Sequence, residues 1–214
     1  MRLASNLLPL LRAAPSHRRV ISTFAGTKEG KFDITDLPSR KISFLAARGH
    51  LTTAMTLALE GLAQRAPEVS FIHNYPGAIK TNLIRPEDGM VMRIVNAAVK
   101  VLFRNSWMAN EECGERHAFL CLSGIFPAGG GDTREATRAL GQRETEKDLV
   151  IVRGTNGIVG SGVYSVTEDA NAADEKVVAL LKGYRDDEYV KKLWDITEEE
   201  FMRITGSKSL ERTA

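Results

Sequence analysis

The sequence predicts an α/β protein, with a doubly wound, mainly parallel sheet, a C-terminal β-hairpin and a helical extension. Three observations carry that prediction. Residues 1–77 alternate helix, strand, helix, strand, which is how crossovers in a parallel sheet read along a chain. Both strand candidates are short apolar runs that stop at turn-forming residues. Near the other end, Asn156-Gly157 separates two β-rich runs, and that dipeptide favours a tight hairpin turn.

The elements follow in order. Residues 1–19 carry four arginines, no acid and the run Leu7-Leu8-Pro9-Leu10-Leu11. That composition fits a mitochondrial transit segment better than a secretory signal. The alternative is an internal helix over 3–14 that packs Leu3, Leu7 and Leu11 on one side, which makes a cytoplasmic protein the expectation. Arg19 to Phe24 reads as a buried strand ending at Ala25-Gly26. A polar, turn-rich stretch runs through Pro38. Leu45, Leu51, Met55, Leu59 and Leu62 recur at helical spacing over 44–65, and Pro67 stops that helix. Val69 to His73 is the second strand. An amphipathic segment from Met90 to Phe103 and a helix from Glu111 to Ser123 come next. A Gly- and Thr-rich stretch covers 129–137. The β-rich runs are 149–153 and 158–166, and 174–204 is helical, with Val177, Leu180, Leu181 and Tyr184 facing inward. One domain is expected: a strand and helix core over 1–84, a substrate-loop and helical insertion over 85–145, and the hairpin and helices over 146–214.

Composition narrows the function classes. The chain is 43% hydrophobic and 26% charged, which fits a folded domain and argues against wholesale disorder. A net charge of +2 gives no case for nucleic acid or an anionic membrane. Cys113 and Cys121 are too few for a disulfide framework. No apolar run approaches the length of a transmembrane helix.

Ligands of doubly wound sheets bind beyond the carboxyl ends of the strands. Ser22, Thr23, Ala25 and Gly26 end the first strand. Asn74, Tyr75, Pro76, Gly77, Ile79, Lys80 and Thr81 end the second. These strand ends, with the intervening Leu57-Ala58-Leu59-Glu60 helix, resemble the C-terminal half of the short-chain dehydrogenase/reductase family, a Rossmann-type fold. They match its fifth strand, active-site helix and sixth strand. A fungal subgroup is closer still. It carries motifs found here as Lys28-Glu29-Gly30, Arg48-Gly49-His50 and Glu111-Glu112-Cys113-Gly114-Glu115-Arg116.

The resemblance implies an NAD(P)-dependent oxidoreductase acting on a carbonyl or secondary alcohol of a small metabolite, in fungal secondary metabolism. It implies a serine, a tyrosine and a lysine, the tyrosine being the proton donor. The serine maps to Thr23 or Ser22. Asn74, Pro76, Gly77, Ile79 and Thr81 fall on the cofactor side, with Thr81 at the nicotinamide carboxamide. It also implies a homo-dimer built on the helices at 3–14 and 44–65. This chain departs from the pattern twice. It contains no Tyr-x-x-x-Lys: Ile42, Ser43 and Ala47 occupy that window, and Arg48 and His50 are the nearest polar groups. His50 could exchange a proton and Arg48 could hold charge; both could equally be polar residues at a helix entrance. The glycine-rich turn that receives a pyrophosphate is also missing, and the chain begins about where the fifth helix of such a fold would. NAD(P)H binding by these residues alone is therefore expected to be poor. A non-catalytic remnant that binds a partner or ligand, or an incomplete gene model, is the alternative reading.

The remaining motifs carry less. The run Gly154 to Gly162 leads into alternating Val163-Tyr164-Ser165-Val166, so it reads as a hairpin. Cys113, His117 and Cys121 share a helical face but make only three metal ligands, where a structural zinc site needs four, so no metal is expected. Cys121, between Leu120 and Leu122, reads as core. His73 reads as a packed, hydrogen-bonded strand residue, and His17 as part of a surface turn. Met90, Met92, Val95 and Val99 line either a substrate pocket or ordinary core.

Overall fold

The computed structural model describes residues 1–79, 89–90, 94, 107–129 and 150–208. The elements in chain order are α1 (Arg2–Ala13), β1 (Arg19–Thr23), α2 (Phe44–Arg65), β2 (Ser70–Asn74), β3 (Ala78–Ile79), β4 (Trp107–Met108), α3 (Asn110–Leu122), β5 (Val163–Val166), α4 (Glu175–Asp186) and α5 (Tyr189–Thr205). The α/β class holds, with a parallel sheet flanked by helices. The sheet has the order β1-β2-β5, and β3 pairs with β4 in a second, two-stranded sheet.

Local chemistry sets the boundaries. The Ser43 hydroxyl accepts from the Ala46 N–H and starts α2. The Asp174 carboxylate does the same for α4 through the Val177 N–H. Gly206 ends α5 in the left-handed conformation, φ 71°, which glycine adopts without a Cβ penalty.

The register divides the core into two faces. Val20, Phe71 and Val163 stand in one row across the sheet, and Ile21, Ile72 and Tyr164 in the next. Because side chains alternate along a strand, the two rows point to opposite faces. The first row packs with Leu8, Leu59, Leu62 and Trp194 of α1, α2 and α5. The second packs with Leu120 of α3 and with Phe126. A third cluster joins Phe32, Leu57, Val177, Leu181 and Leu193, which seals α2 against α4 and α5. Gly61 permits the α2–α5 approach, since a Cβ there would lie 3.2 Å from the Trp194 ring.

Two sequence expectations are corrected here. The inward face of α1 is Leu8, with Ala4 and Leu11 packed beside it. Leu3 and Leu7 are 72% and 41% exposed. The C-terminal hairpin shrinks to one antiparallel bridge, Arg153 to Val159, around a turn at Gly157, φ 84°. Val163–Val166 pairs parallel with β2, because its apolar side chains complete both faces of the sheet. The turn itself is anchored by a buried polar contact. Thr155 Oγ1 donates to Glu60 Oε1 at 2.7 Å, and Arg185 Nε donates to Glu60 Oε2 at 3.0 Å.

The amphipathic segment from Met90 to Phe103 and the stretch 129–137 lie largely outside the described residues, as do Met92, Val95 and Val99; Met90 is exposed. Among the described residues, no helix is long and apolar enough to cross a membrane.

Candidate active site

The carboxyl ends of β1 and β2 lie side by side, with Ser22 opposite His73 and Thr23 opposite Asn74. Strand alternation separates the first strand's two hydroxyls. Ser22 falls in the His73–Ser165 row, on the face that α2 covers. Thr23 falls with Asn74 on the α3 face. The structure thereby distinguishes two residues that the sequence leaves equivalent.

On the α2 face the row ends in a buried polar network. The Ala25 N–H donates to His73 Nε2 at 3.3 Å, so that nitrogen carries no proton. His73 Nδ1–H then donates to Thr56 Oγ1 at 2.8 Å, and the Thr56 hydroxyl donates to Glu29 Oε1 at 2.7 Å. Ser165 Oγ donates to the same Glu29 oxygen at 2.6 Å and accepts from the Thr27 N–H at 2.7 Å. Burial lowers the His73 pKa to about 4. It raises that of Glu29, although hydrogen bonds from Ser165 and Thr56 oppose the rise. His73 and Glu29 therefore lie 4.0 Å apart without forming an ion pair, because burial disfavours the charge on each. The network fixes the chain as it leaves β1. There, a Cβ on Gly26 would lie 2.2 Å from the His73 carbonyl oxygen, so only glycine fits.

The same turn gives structural roles to residues of two runs singled out in the sequence. In Lys28-Glu29-Gly30 the glutamate enters the network and the glycine meets α2. The Gly30 N–H donates to the Gly49 carbonyl at 3.1 Å, and a Cβ on either glycine would lie 3.0 Å from the other's Cα. Arg48-Gly49-His50 is the other side of that contact.

On the α3 face, Thr23 Oγ1 lies 3.1 Å from His117 Nε2. His117 Nδ1 lies 2.8 Å from the Cys113 carbonyl oxygen, one helical turn back. At the far end of α3, the Arg19 guanidinium donates to the carbonyls of Leu120 at 2.5 Å and Phe126 at 2.9 Å. These contacts align α3 antiparallel to β1. Arg116 braces its first turn, donating to Glu112 at 2.7 Å and to the Glu168 carbonyl at 2.9 Å, with Asp169 also in contact. That gives a structural role to Arg116, the last residue of the Glu111–Arg116 run.

The sequence-derived site residues are only partly brought together. Thr23, Asn74, Pro76 and Gly77 share the strand-end region, and Ile79 follows in β3. Thr81 lies outside the described residues. Arg48 reaches the strand ends, its guanidinium 5.1 Å from the Tyr75 ring centre. Lys28 approaches the same ring at 5.7 Å. His50 is placed elsewhere. It is fully buried, its Nδ1 accepts from the Asp33 N–H at 3.2 Å, and its ring packs on Phe32. Sequence reasoning named Tyr75 among the strand-end residues without giving it a role, and it did not pair His117 with Thr23. Tyr75 is the one tyrosine at the strand ends. Tyr164, by contrast, is buried in the second face, donates to the Pro127 carbonyl at 2.7 Å, and has its phenol pushed up to about 12 by burial. His117 drew notice only as a metal-ligand candidate, because its partner Thr23 is 94 residues away.

Cys121 is exposed, which corrects its reading as a core residue. Among the described residues, no three His, Cys, Asp or Glu side chains converge as metal ligands.

A nicotinamide dinucleotide is met in part. At the strand ends, Asn74 is 2% exposed, and its Oδ1 has no partner among the described residues. A polar acceptor of that kind fits the carboxamide end of such a molecule. None of the described helices follows a glycine-rich turn of the kind that receives a pyrophosphate; the Asp174 carboxylate occupies the start of α4, and Glu111 and Glu112 place negative charge in the first turn of α3.

The fold and site define a parallel α/β protein with polar side chains, Thr23 and Asn74, at the carboxyl ends of adjacent strands. Known proteins with similar sequences are fungal oxidoreductases. Oxidoreductase andH of Emericella variicolor is 30% identical over 209 residues, covering 97% of this chain and 59% of that protein. Oxidoreductase AN1596 of Emericella nidulans is 33% identical over 200 residues, covering 92% and 57%. Short-chain dehydrogenase/reductase SAT2 of Stachybotrys chartarum is 28% identical over 207 residues, covering 92% and 54%. The chain thus spans less than two thirds of the length of each of these relatives. No family model and no solved structure matches it.

Proposed function

We propose that the chain is the substrate-side part of a short-chain dehydrogenase/reductase-like oxidoreductase. It interconverts a carbonyl and a secondary alcohol on a small metabolite of fungal secondary metabolism, with NAD(P)H as co-reactant. The observation that supports this best is the pairing of Thr23 with Asn74 at the open carboxyl ends of two parallel strands. In this reading Thr23 contacts the substrate oxygen. Asn74, Pro76, Gly77, Ile79 and Thr81 face the nicotinamide end, which supplies or removes hydride when bound. Arg48 and Lys28, laid against Tyr75, hold negative charge on the ligand. Ser22 and His50 support the fold around them.

Because the described residues offer no pyrophosphate cradle, the 214-residue chain should bind NADPH poorly on its own. Calorimetry on the purified chain checks this, and a micromolar Kd would overturn it. Joining the chain behind the N-terminal portion of the Emericella nidulans relative should produce NADPH-dependent ketone reduction. No turnover of any ketone in a broad panel by the folded fusion would refute the oxidoreductase reading.

A further inference from the structure

The contact between α3 and β1 has a direction that its distances fix. His117 Nδ1 lies 2.8 Å from a carbonyl oxygen, which can only accept, so Nδ1 carries the proton. The Cys113 thiol is farther from that nitrogen, at 3.5 Å. A neutral imidazole has one protonated nitrogen, so Nε2 is a bare acceptor. The Thr23 hydroxyl, 3.1 Å away, therefore donates to it. A hydroxyl is thus hydrogen-bonded to an imidazole whose tautomer is held by a third group, and that is the arrangement that prepares an oxygen to give up its proton.

The surroundings place this pair where a ligand would use it. Thr23 is exposed at the end of its strand. On the same face its cross-strand neighbour is buried Asn74, whose Oδ1 has no partner among the described residues. His117 is half-buried, so its imidazole edge reaches solvent.

We propose that Thr23 and His117 form a hydroxyl–imidazole proton relay serving an oxygen bound at the strand ends, with the Cys113 carbonyl holding the imidazole in the required tautomer. The relay deepens the functional reading given above and rests on the strand ends being the ligand site. A ligand alcohol passes its hydroxyl proton to Thr23 Oγ1 while Thr23 passes its own to His117 Nε2. One proton moves from the ligand oxygen to the imidazole, and the threonine ends as it began. An oxidised nicotinamide dinucleotide is the co-reactant that would take the accompanying hydride. For a carbonyl acceptor the same protons run backwards from the imidazolium. Thr23 is the group that touches the ligand. His117 acts through it and is a positioning residue.

Two measurements on the full chain test this without cofactor or turnover. Nitrogen-15 spectra of labelled histidine should show His117 as the Nδ1–H tautomer. Its Nε2 resonance should move in Thr23→Val and stay in place in Thr23→Ser. An Nε2–H tautomer in the native chain would overturn the proposal. Phenylmethylsulfonyl fluoride should then modify Thr23. The Oγ1–S bond forms, the S–F bond breaks, the hydroxyl proton goes to His117 Nε2 and fluoride leaves. His117→Gln can still accept the Thr23 hydrogen bond but cannot take the proton, so labelling should slow by about 100-fold. Thr23→Ser should label at least as fast as the native chain. No labelling of Thr23, or labelling at the native rate in His117→Gln, would reduce the contact to a docking bond between α3 and β1. If Thr23 labels as expected and the fusion reduces no ketone, the relay stands and the oxidoreductase reading falls.

Discussion

Acidification should unfold this protein through His73. The buried imidazole has a pKa of about 4 in the native state, against the ordinary value of 6.5 when the chain unfolds. The unfolded chain therefore binds a proton that the native chain refuses over that interval. A histidine shifted down contributes stability that is complete above its unfolded pKa and is lost as pH falls toward the folded one. The full shift corresponds to about 3 kcal/mol, and about 2.5 kcal/mol of it is gone by about pH 4.5. The cause is geometric as well as dielectric. A second ring proton would sit on Nε2 and face the Ala25 N–H, donor against donor. Glu29 works in the opposite sense, because a raised carboxyl pKa makes stability fall as pH rises past its unfolded value. The two effects separate in a variant. His73→Gln keeps an acceptor for the Ala25 N–H and cannot titrate. Urea unfolding at neutral pH and near pH 4.5, followed by tryptophan fluorescence, should show the native chain losing about 2 kcal/mol more than His73→Gln on acidification. Equal losses in the two proteins, within about 0.5 kcal/mol, would refute the assignment of His73 as a buried neutral group.

Other expectations follow from single contacts. Gly26→Ala forces a methyl against two backbone carbonyls and should cost about 3 kcal/mol, read as a thermal midpoint roughly 10 °C lower. His50→Ala should destabilise by about 2 kcal/mol in a denaturant titration, since it empties a fully buried position against Phe32. Arg19→Met removes the donor that holds the end of α3, and hydrogen exchange of the α3 amides should rise at least tenfold, on the order of 1.4 kcal/mol. Leu3, Leu7 and Leu10 on α1, with Phe44 and Leu45 on α2, leave apolar side chains in water, so light scattering at micromolar concentration should report a dimer or larger species. A monodisperse 23.5 kDa particle would count against it.

What the sequence disclosed depended on whether a signal was local. The long helix at 44–65 was legible because Leu45, Leu51, Met55, Leu59 and Leu62 recur at helical spacing and Pro67 stops it. The first two strands were legible because apolar runs end in turn residues. The parallel partner of β2 was not, since Asn156-Gly157 announces a nearby turn while the pairing of Val163–Val166 with Phe71–Asn74 spans some ninety residues. The α1 face was misread by one helical position, because Leu7 and Leu8 are equally apolar and only the packing against Leu59, Leu62 and Trp194 decides between them. At the site, Thr23 stood out by its place at a strand end. His117 was hidden among cysteines, and its chemistry became visible only once α3 lay along β1.

The contact between Gly30 and Gly49 has a consequence for motion. Two backbones touch there with no side chain between them, and the Thr53 hydroxyl donates to the Gly30 carbonyl at 2.7 Å as a second tie. A larger residue on one side cannot be accommodated by a smaller one on the other, because both are already minimal. Glu29 adds a third tie through Thr56. The segment from Ala25 to Phe32, although it has no regular structure, is therefore bound to open with the middle of α2 as one cooperative unit. Its amides should exchange with solvent at the slow rate of that helix rather than at the rate of an ordinary surface loop, which would keep the exit of β1 fixed in place while a ligand comes and goes.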